Sequence, residues 1–460
     1  MKVSRLCLLT NKFLFIGVMF VCLAIEAGAQ TNVQLTPRPT AKQKSWANME
    51  FYLFMHFGPN TFTDLEWGKG TEHEEVFNPS ELDCRQWCRI ALAAGAKGII
   101  ITAKHHDGFC LWPSKYSTHT VRESKWKNGK GDVLKDLSDA CREFGLKFGV
   151  YLSPWDRNHP RYGTAGYNEV FVDMMKEIIR SYGPLFEFWW DGANGEGPNG
   201  KKQVYDWQLF ESTMRQYAPN TVVFSDIGPD IRWVGNENGI AGDPNWNLLD
   251  TAGYMRGLGA PPNDTLNHGN IYGRNWIPAE CDVSIRPGWF YHKKEDSLVK
   301  SPAELFQLWQ KSVGRGANLL LNVPPDSRGK INAHDSASLV GFRKLREKSF
   351  SRPLMKKEFD GKHPSGQQYR LSSRQPVNIN CLVVREFLDS GQNIISFTVD
   401  FFNRGQKLKT IHGNTVGHQR ILSFSSLTCT NLVLTIDSQK HEPAITRIDA
   451  YEIDEANIEK

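Results

Sequence analysis

Asp191 closes the run LFEFWWDGANG (185–195), where large apolar and aromatic side chains lead straight to a carboxylate and then to glycine and asparagine. Other apolar runs finish the same way. FYLFM is followed by His56, GIIITAK by His105-His106-Asp107, KFGV by Tyr151, Ser153 and Trp155-Asp156, and TVVFS by Asp226. Strand-end aspartates often serve as helix N-caps, which would explain any one of these positions. Five successive runs ending in hydroxyl-binding or proton-carrying groups point instead to one shared site. In a parallel barrel that site lies where the C-terminal ends of the strands meet solvent.

The residue types narrow the chemistry. Histidines and carboxylates at strand ends could hold a metal, but barrel metallohydrolases usually carry His-x-His at the first strand and His56 stands alone. Adjacent residues on a strand face opposite ways, so His105 and His106 could act together only if the strand has ended. The GKG tripeptides at 68–70 and 129–131 lack the flanks of a phosphate-binding loop, the glycines form no dinucleotide fingerprint, and no G-x-S-x-G elbow occurs. What remains is a carboxylate beside tryptophans, the profile of glycoside hydrolysis. That reaction needs two carboxyl groups, and Asp191 is the first.

The elements that must position these residues are legible. FYLFMHFG, GIIITAKHH, KFGVYLSPW, LFEFWWDG, TVVFSD and NLLLNVPP are candidate strands, apolar enough for a parallel sheet buried on both faces. Between them lie helical stripes: Val133, Leu134, Leu137, Cys141 and Phe144; Phe171, Met174, Ile178 and Tyr182; Trp207, Phe210, Met214 and Tyr217. Ser301-Pro302-Ala303-Glu304 reads as an N-cap, a first-turn proline and a capping-box glutamate. The alternation predicts an α/β fold, a partly irregular (β/α)8-type (TIM-like) barrel over 30–352, with long loops and missing helices between 226 and 300. After Phe350, INCLVVREFL, IISFTVDFF, LTCTNLVLTI and AITRIDAYEI predict an antiparallel β-sandwich domain over 353–460, a brace for the barrel.

The N-terminus reads as a secretory signal over residues 1–29. Lys2, Arg5 and Lys12 precede FLFIGVMFVCLA and an Ala27-Gly28-Ala29 cleavage site. That run is too short to span a bilayer, so the expected protein is exported, periplasmic or secreted, with no membrane span. A lipoprotein reading at Cys22 is disfavoured by the bulky Val21. Removing the leader leaves 52 basic against 49 acidic residues, a formal charge of +3 that gives no reason to expect a nucleic-acid partner. Seven dispersed cysteines remain, read as buried small residues with at most one or two disulfides.

Taken together, MHFGPNTF…EWG (55–68), AKHHDGFCLWPS (103–114), WWDGANG (189–195) and RWVGNENG (232–239) resemble the α-L-fucosidases of glycoside hydrolase family 29, over essentially the whole mature chain. The resemblance implies a retaining mechanism without a cofactor, with Asp191 attacking the anomeric carbon of L-fucose. It also implies that His56, Glu66, Trp67, His105, His106, Tyr151 and Trp189 line the fucose pocket, with Trp289 flanking it. The branch acting on α-1,3/4-linked fucose places its acid/base in a segment similar to RWVGNENG, which selects Glu237. The broader branch shows Trp-Glu-x-Cys, here Pro278-Ala279-Glu280-Cys281 without the tryptophan, so Glu280 is the second choice. Otherwise Glu280 is a loop glutamate that positions substrate or anchors Arg286. The expected substrate is a fucosylated glycan. A barrel hydrolase for another sugar, such as an L-galactoside, and a silent fucose-binding protein are the rival readings.

Overall fold

Apolar runs of three to seven residues, buried along almost their whole length, form the staves of a closed parallel barrel. In chain order these are β1 (Phe51–Met55), β2 (Gly98–Lys104), β3 (Lys147–Leu152), β4 (Glu187–Trp189), β5 (Val222–Ser225) and β6 (Ile231–Trp233). A separate two-stranded ladder of β7 (Leu248–Leu249) and β8 (Asn275–Trp276) intervenes before β9 (Ala279–Ser284) and β10 (Asn318–Asn322) complete the ring. Strand β1 pairs in parallel with both β2 and β10, so the barrel has no free edge. The computed structural model describes residues 37–256, 259–360 and 368–457; the leader expected over 1–29 lies outside them.

The helices are α1 (Ala41–Ala47), α2 (Asn60–Thr63), α3 (Cys84–Ala94), α4 (Val133–Phe144), α5 (Gly166–Tyr182), α6 (Trp207–Tyr217), α7 (Asn263–His268), α8 (Pro302–Ser312) and α9 (Ala333–Phe350). Side chains of Asp83, Asp132, Asp206, Ser301 and Asn332 cap α3, α4, α6, α8 and α9, and Ser301 with Glu304 forms the expected capping box. None of the strand-end aspartates is among these caps, which frees them for other work. The helical ring is incomplete in the expected place: β5 runs into β6 through residues 226–230 without a helix.

Alternation along the strands sorts the side chains. Tyr52, Phe54, Ile100, Tyr151, Trp189, Phe224, Ile231 and Leu320 form one cluster inside the barrel. Their neighbours Phe51, Leu53, Ile99, Ile101, Val150, Phe188 and Val223 join the larger core under the helices.

The second sheet comprises β11 (Met355–Glu358), β12 (Gln368–Glu386), β13 (Ile394–Asn403), β14 (Gln406–Gly413), β15 (Arg420–Gln439) and β16 (Ile445–Tyr451), all antiparallel. The two layers expected of a sandwich are one continuous sheet in the order β11-β16-β12-β15-β13-β14. The 19-residue β12 and 20-residue β15 run through both halves, and their ladder is broken by register shifts between Ser372 and Val377 and between Ile379 and Cys381. Tyr369 and Leu371 from one half and Leu382 and Val384 from the other share a single core.

Thr36–Lys460 forms one compact unit, and polar and ring contacts join sheet to barrel. Gln392 bridges the backbones of Asn245 and Asn247, Arg420 pairs with Asp243 at 2.7 Å, and the ring of Phe350 meets that of Tyr451 edge-on. The seven cysteines among the described residues are buried and unpaired, where one or two disulfides were possible; the Sγ atoms of Cys88 and Cys141 approach to 3.9 Å across α3 and α4. Among the described residues no helix is long and apolar enough to cross a membrane.

Asp335, in the first turn of α9, accepts 2.9 Å and 2.7 Å bonds from the Arg286 guanidinium, and neither side chain reaches solvent. Asp335→Ala leaves that charge only partly compensated by Asp296 and is expected to cost about 3–5 kcal/mol. The double variant Arg286→Met/Asp335→Leu should lose less; denaturant unfolding of both proteins checks the ordering.

Candidate active site

The strand ends converge on a cavity of about 170 Å3. It is lined by His56, Glu66, Trp67, His105, His106, Tyr151, Trp189, Asp191, Glu237 and Trp289, and also by Phe54, Ala193 and Asp282. A cavity of about 1190 Å3 on the flank near Tyr205, Trp207 and Trp276 is larger, but none of these residues opens onto it. The chemistry sits in the smaller one.

Strand register builds the floor. Tyr151 on β3 pairs with Trp189 on β4, which pairs with Phe224 on β5. Trp189 stacks on Phe224 at 3.8 Å between centroids and on Tyr151 at 5.3 Å. Directly after Trp189 the chain turns, and Asp191 accepts from the Ala193 N–H at 2.7 Å and from the Tyr151 hydroxyl at 2.9 Å. The same local turn, a carboxylate accepting the N–H two residues on, recurs at Asp107 and Asp156. Neither of those reaches the cavity. Asp107 is buried, and loss of solvent pushes its carboxyl up to about 6. Asp156 is spent on Lys104, an ion pair at 3.2 Å with both side chains buried. Asp226 lies against Gly192 without lining the cavity; burial and then the charge of Asp191 push it up to about 6.

Strand β2 ends at Lys104, so His105 and His106 are free of the strand's alternation and both face the cavity, their rings 4.1 Å apart. Hydrogen-bond partners fix the protons of two imidazoles. Ser153 donates its hydroxyl to the Trp155 carbonyl at 3.0 Å and therefore accepts from His106 Nδ1–H at 2.8 Å. The Nε2 of His106 is left as an acceptor, 3.8 Å from Asp191. Asn322 spends its amide N–H on Ser284 and on Trp289, so its oxygen accepts from His56 Nδ1–H at 2.8 Å, leaving Nε2 of His56 open. Burial pushes His106 down to about 4 and His56 down to about 3, which keeps both neutral. Two neutral imidazoles with open Nε2 atoms are acceptors for hydroxyl groups.

Glu66 is held by the backbone N–H groups of Trp289 and Phe290 at 2.8 and 3.1 Å and by His292 at 2.6 Å. Trp67 stands at the rim, 54% exposed, edge-on to His106 and Trp155. Glu237, exposed on the loop after β6, accepts from Trp289 Nε1 at 3.4 Å. Burial raises its carboxyl above the ordinary value, the bond from Trp289 opposes this, and the charge of Asp191 adds to the rise.

Glu280 is not brought to the cavity, contrary to its expected role. On β9, Glu280 and Asp282 share the interior-facing parity, but Glu280 sits two residues deeper, paired with Asn318 at the start of β10 rather than with its end. There it accepts from Trp189 Nε1 at 2.8 Å and from the Tyr52 hydroxyl, and its carboxyl lies against that of Glu187. Nor does it anchor Arg286, which Asp335 and Asp296 hold. Burial pushes Glu280 up to about 7 and Glu187 well above the ordinary value, so the pair keeps a proton. Asp282, which the sequence reading missed, takes the place facing the cavity; it accepts from Trp233 Nε1 at 2.9 Å, and burial favours its neutral form. Its signal was the polar alternation of AECDVS, readable only once that segment is recognised as a barrel strand.

Two carboxyl groups, one oriented by two donors and one biased toward its protonated form, face a small cavity walled by aromatic rings and hydroxyl-binding groups. That is glycosidase geometry. The α-L-fucosidase family profile matches residues 29–344. The chain belongs to the α-L-fucosidase family, glycoside hydrolase family 29. It is 38% identical over 450 residues to α-L-fucosidase 1 of Arabidopsis thaliana, covering 91% of this chain and 88% of that one. A glycoside hydrolase 29 family member from an unknown rumen bacterium superposes with a TM-score of 0.84 at 40% identity, over 92% of this chain and 78% of that one. A Ruminococcus gnavus family 29 fucosidase in complex with fucose superposes with a TM-score of 0.79 at 26% identity, over 93% and 96%. As an α-L-fucosidase the protein acts on a fucosylated glycan, and the cavity offers both an apolar wall and hydroxyl acceptors.

Tyr151→Phe removes one of the two donors to Asp191 while leaving the stack on Trp189. A hydrogen bond to a charged group is worth about 1.5–3 kcal/mol, so kcat should fall roughly 10- to 100-fold with the fold intact. The acid pair below makes a second prediction. Its folded protons are held to higher pH than in the unfolded chain, so stability falls as pH rises from the ordinary glutamate range to about 7. Glu280→Gln removes one titration, and the drop in Tm between pH 5 and pH 8 should be smaller than in the wild type.

Proposed function

We propose that the protein is an exported, retaining exo-α-L-fucosidase that removes terminal α-1,3/4-linked L-fucose from branched glycans, with Asp191 as nucleophile and Glu237 as acid/base. The observation that carries this reading is that these two carboxyl groups open on one small cavity, where burial and the charge of Asp191 raise the carboxyl of Glu237. In the first step an oxygen of Asp191 bonds to the anomeric carbon as the glycosidic C–O bond breaks, and the proton of Glu237 goes to the departing oxygen. In the second, Glu237 takes a proton from water, the water oxygen bonds to the anomeric carbon, and the bond to Asp191 breaks. Fucose leaves with the configuration it had in the glycan.

The ring hydroxyls would be read by the open Nε2 atoms of His56 and His106, by Glu66 and by His105, whose Nδ1 is buried without a protein partner. Phe54, Tyr151 and Trp189 supply the apolar wall against which the C5 methyl of fucose packs; an L-galactoside would place a hydroxyl there without an acceptor, which disfavours it. The leader motif supports export and the RWVGNENG loop supports the linkage.

Three proteins test the assignment on an aryl α-L-fucoside: wild type, Asp191→Ala and Glu237→Gln, each with and without azide. Both variants should lose at least about 1000-fold in turnover. Azide should give a fucosyl azide of inverted configuration with Asp191→Ala and of retained configuration with Glu237→Gln. Full activity in either variant sinks that residue's role. A Lewis-type trisaccharide should be cleaved faster than an α-1,2-fucosylated one; equal rates would overturn the linkage.

A further inference from the structure

His292 lies outside the cavity, yet both of its ring nitrogens face carboxylates. Nδ1 meets Asp64 Oδ1, and Nε2 meets Glu66 Oε1 at 2.6 Å. A carboxylate only accepts, so each nitrogen must donate, and an imidazole that donates from both nitrogens is the imidazolium. The ring is buried, only 4% exposed, and it joins two segments that meet nowhere in sequence: the turn after α2 that carries Asp64, Glu66 and Trp67, and the loop 286–292 that carries Trp289.

Each end of that loop is fastened by charge. Arg286 is held by Asp335 and Asp296, and His292 by Asp64 and Glu66. Between them, Trp289 and Phe290 give their N–H groups to Glu66, and the Trp289 carbonyl accepts from Asn322. Three donors thus fill three of the four lone-pair positions of Glu66, and the last, on Oε2, is left for the cavity it lines.

We propose that His292, as an imidazolium, is a positioning residue for fucose binding: it clamps the loop 286–292 to the turn 64–67 and turns the free lone pair of Glu66 toward a sugar hydroxyl. The inference rests on the fucosidase reading of the cavity. Burial works against the ring's charge, and the bonds to Asp64 and Glu66 outweigh it, so its proton is held above the ordinary histidine range. The other charged groups facing the clamp are Lys294, which acts on Asp64, Arg286, which donates to the His292 carbonyl, and Glu295, which accepts from Gly288 beside the ring. The sign follows. The clamp is closed at and below ordinary histidine pH and opens as pH rises through the raised value.

Glu66 touches the sugar alike in ground and transition states, so loss of the clamp appears in KM rather than in kcat. The test uses the full mature protein and an aryl α-L-fucoside from pH 5 to 9. Wild-type turnover tests the fucosidase reading by itself, and its absence would remove that reading. Given turnover, His292→Gln should raise KM about tenfold with little change in kcat. Asp64→Asn, which keeps a hydrogen-bond acceptor but removes one charge, should match the wild type at pH 5, with KM rising at lower pH than in the wild type. The imidazole 15N resonances of His292, assigned by their loss in His292→Gln, should both lie at imidazolium positions at pH 7. A neutral ring at pH 7, an unchanged KM in His292→Gln, or coincident KM profiles for Asp64→Asn and wild type would each overturn the proposal.

Discussion

The hydrogen bond from the Trp189 indole to Glu280 is the point on which the catalytic end of the barrel rests. Trp189 is both an interior rung and the cavity floor, and an indole N–H in so apolar a place needs an acceptor. Glu280 provides one, at the cost of bringing a carboxyl into the barrel. That carboxyl is made tolerable by Glu187, Tyr52 and, through them, the Trp46 indole from α1. A pair of acids that shares a proton and is surrounded by donors buries less charge than two carboxylates would. From the fixed indole the order passes upward: Trp189 stacks on Tyr151, and the Tyr151 hydroxyl holds Asp191. A side chain on the first helix thus bears on the angle at which the carboxylate meets its substrate.

Desolvation also decides where charge is allowed. Neutral histidines line the interior of the cavity because burial outweighs the pull of Asp191 on His106 and the bond of Asn322 to His56. The cations nearby are tied down outside it, Lys104 by Asp156 and His292 by Asp64 and Glu66. Among the described residues no lysine or arginine lines the cavity, and the charge of Asp191 raises the carboxyl of Glu237.

What could be read in the sequence follows from the same physics. A strand buried on both faces must be continuously apolar, so the strands around residues 51, 98, 147, 187, 222 and 318 announced themselves, and the polar residues after them marked the catalytic end. Strands β6 and β9 did not: Ile231–Trp233 is too short to show a pattern, and AECDVS carries acids on its interior face. Sequence could give the strand on which Glu280 lies only by recognising that segment, and could not give its depth, which register with β10 decides. The pair His105-His106 could share a site only if the strand had ended before it, and β2 ends at Lys104. In the second sheet, β14 is polar and largely exposed, so it left no apolar run to find. The continuity of β12 and β15 through both halves depends on bulges that no composition signals.

Residues that stand on strands and residues that stand on loops are held to their places by different means. Tyr151, Trp189 and Asp282 are placed by ladder register, to which a side-chain bond such as that from Trp189 to Glu280 or from Trp233 to Asp282 is added. Most of those beyond the strand ends have a hydrogen-bond anchor of their own: His56 has Asn322, His106 has Ser153, Asp191 has the Ala193 N–H, and Glu66 has three donors. Glu237 departs from this rule. It has a single 3.4 Å bond from Trp289 and an exposed side chain. A group that must give a proton to a leaving oxygen and then take one from water has to stay in reach of both, and a carboxyl locked by several strong donors would be held in its ionised form. Loose anchorage at Glu237 and tight anchorage at Asp191 therefore suit the acid/base and nucleophile roles proposed for them.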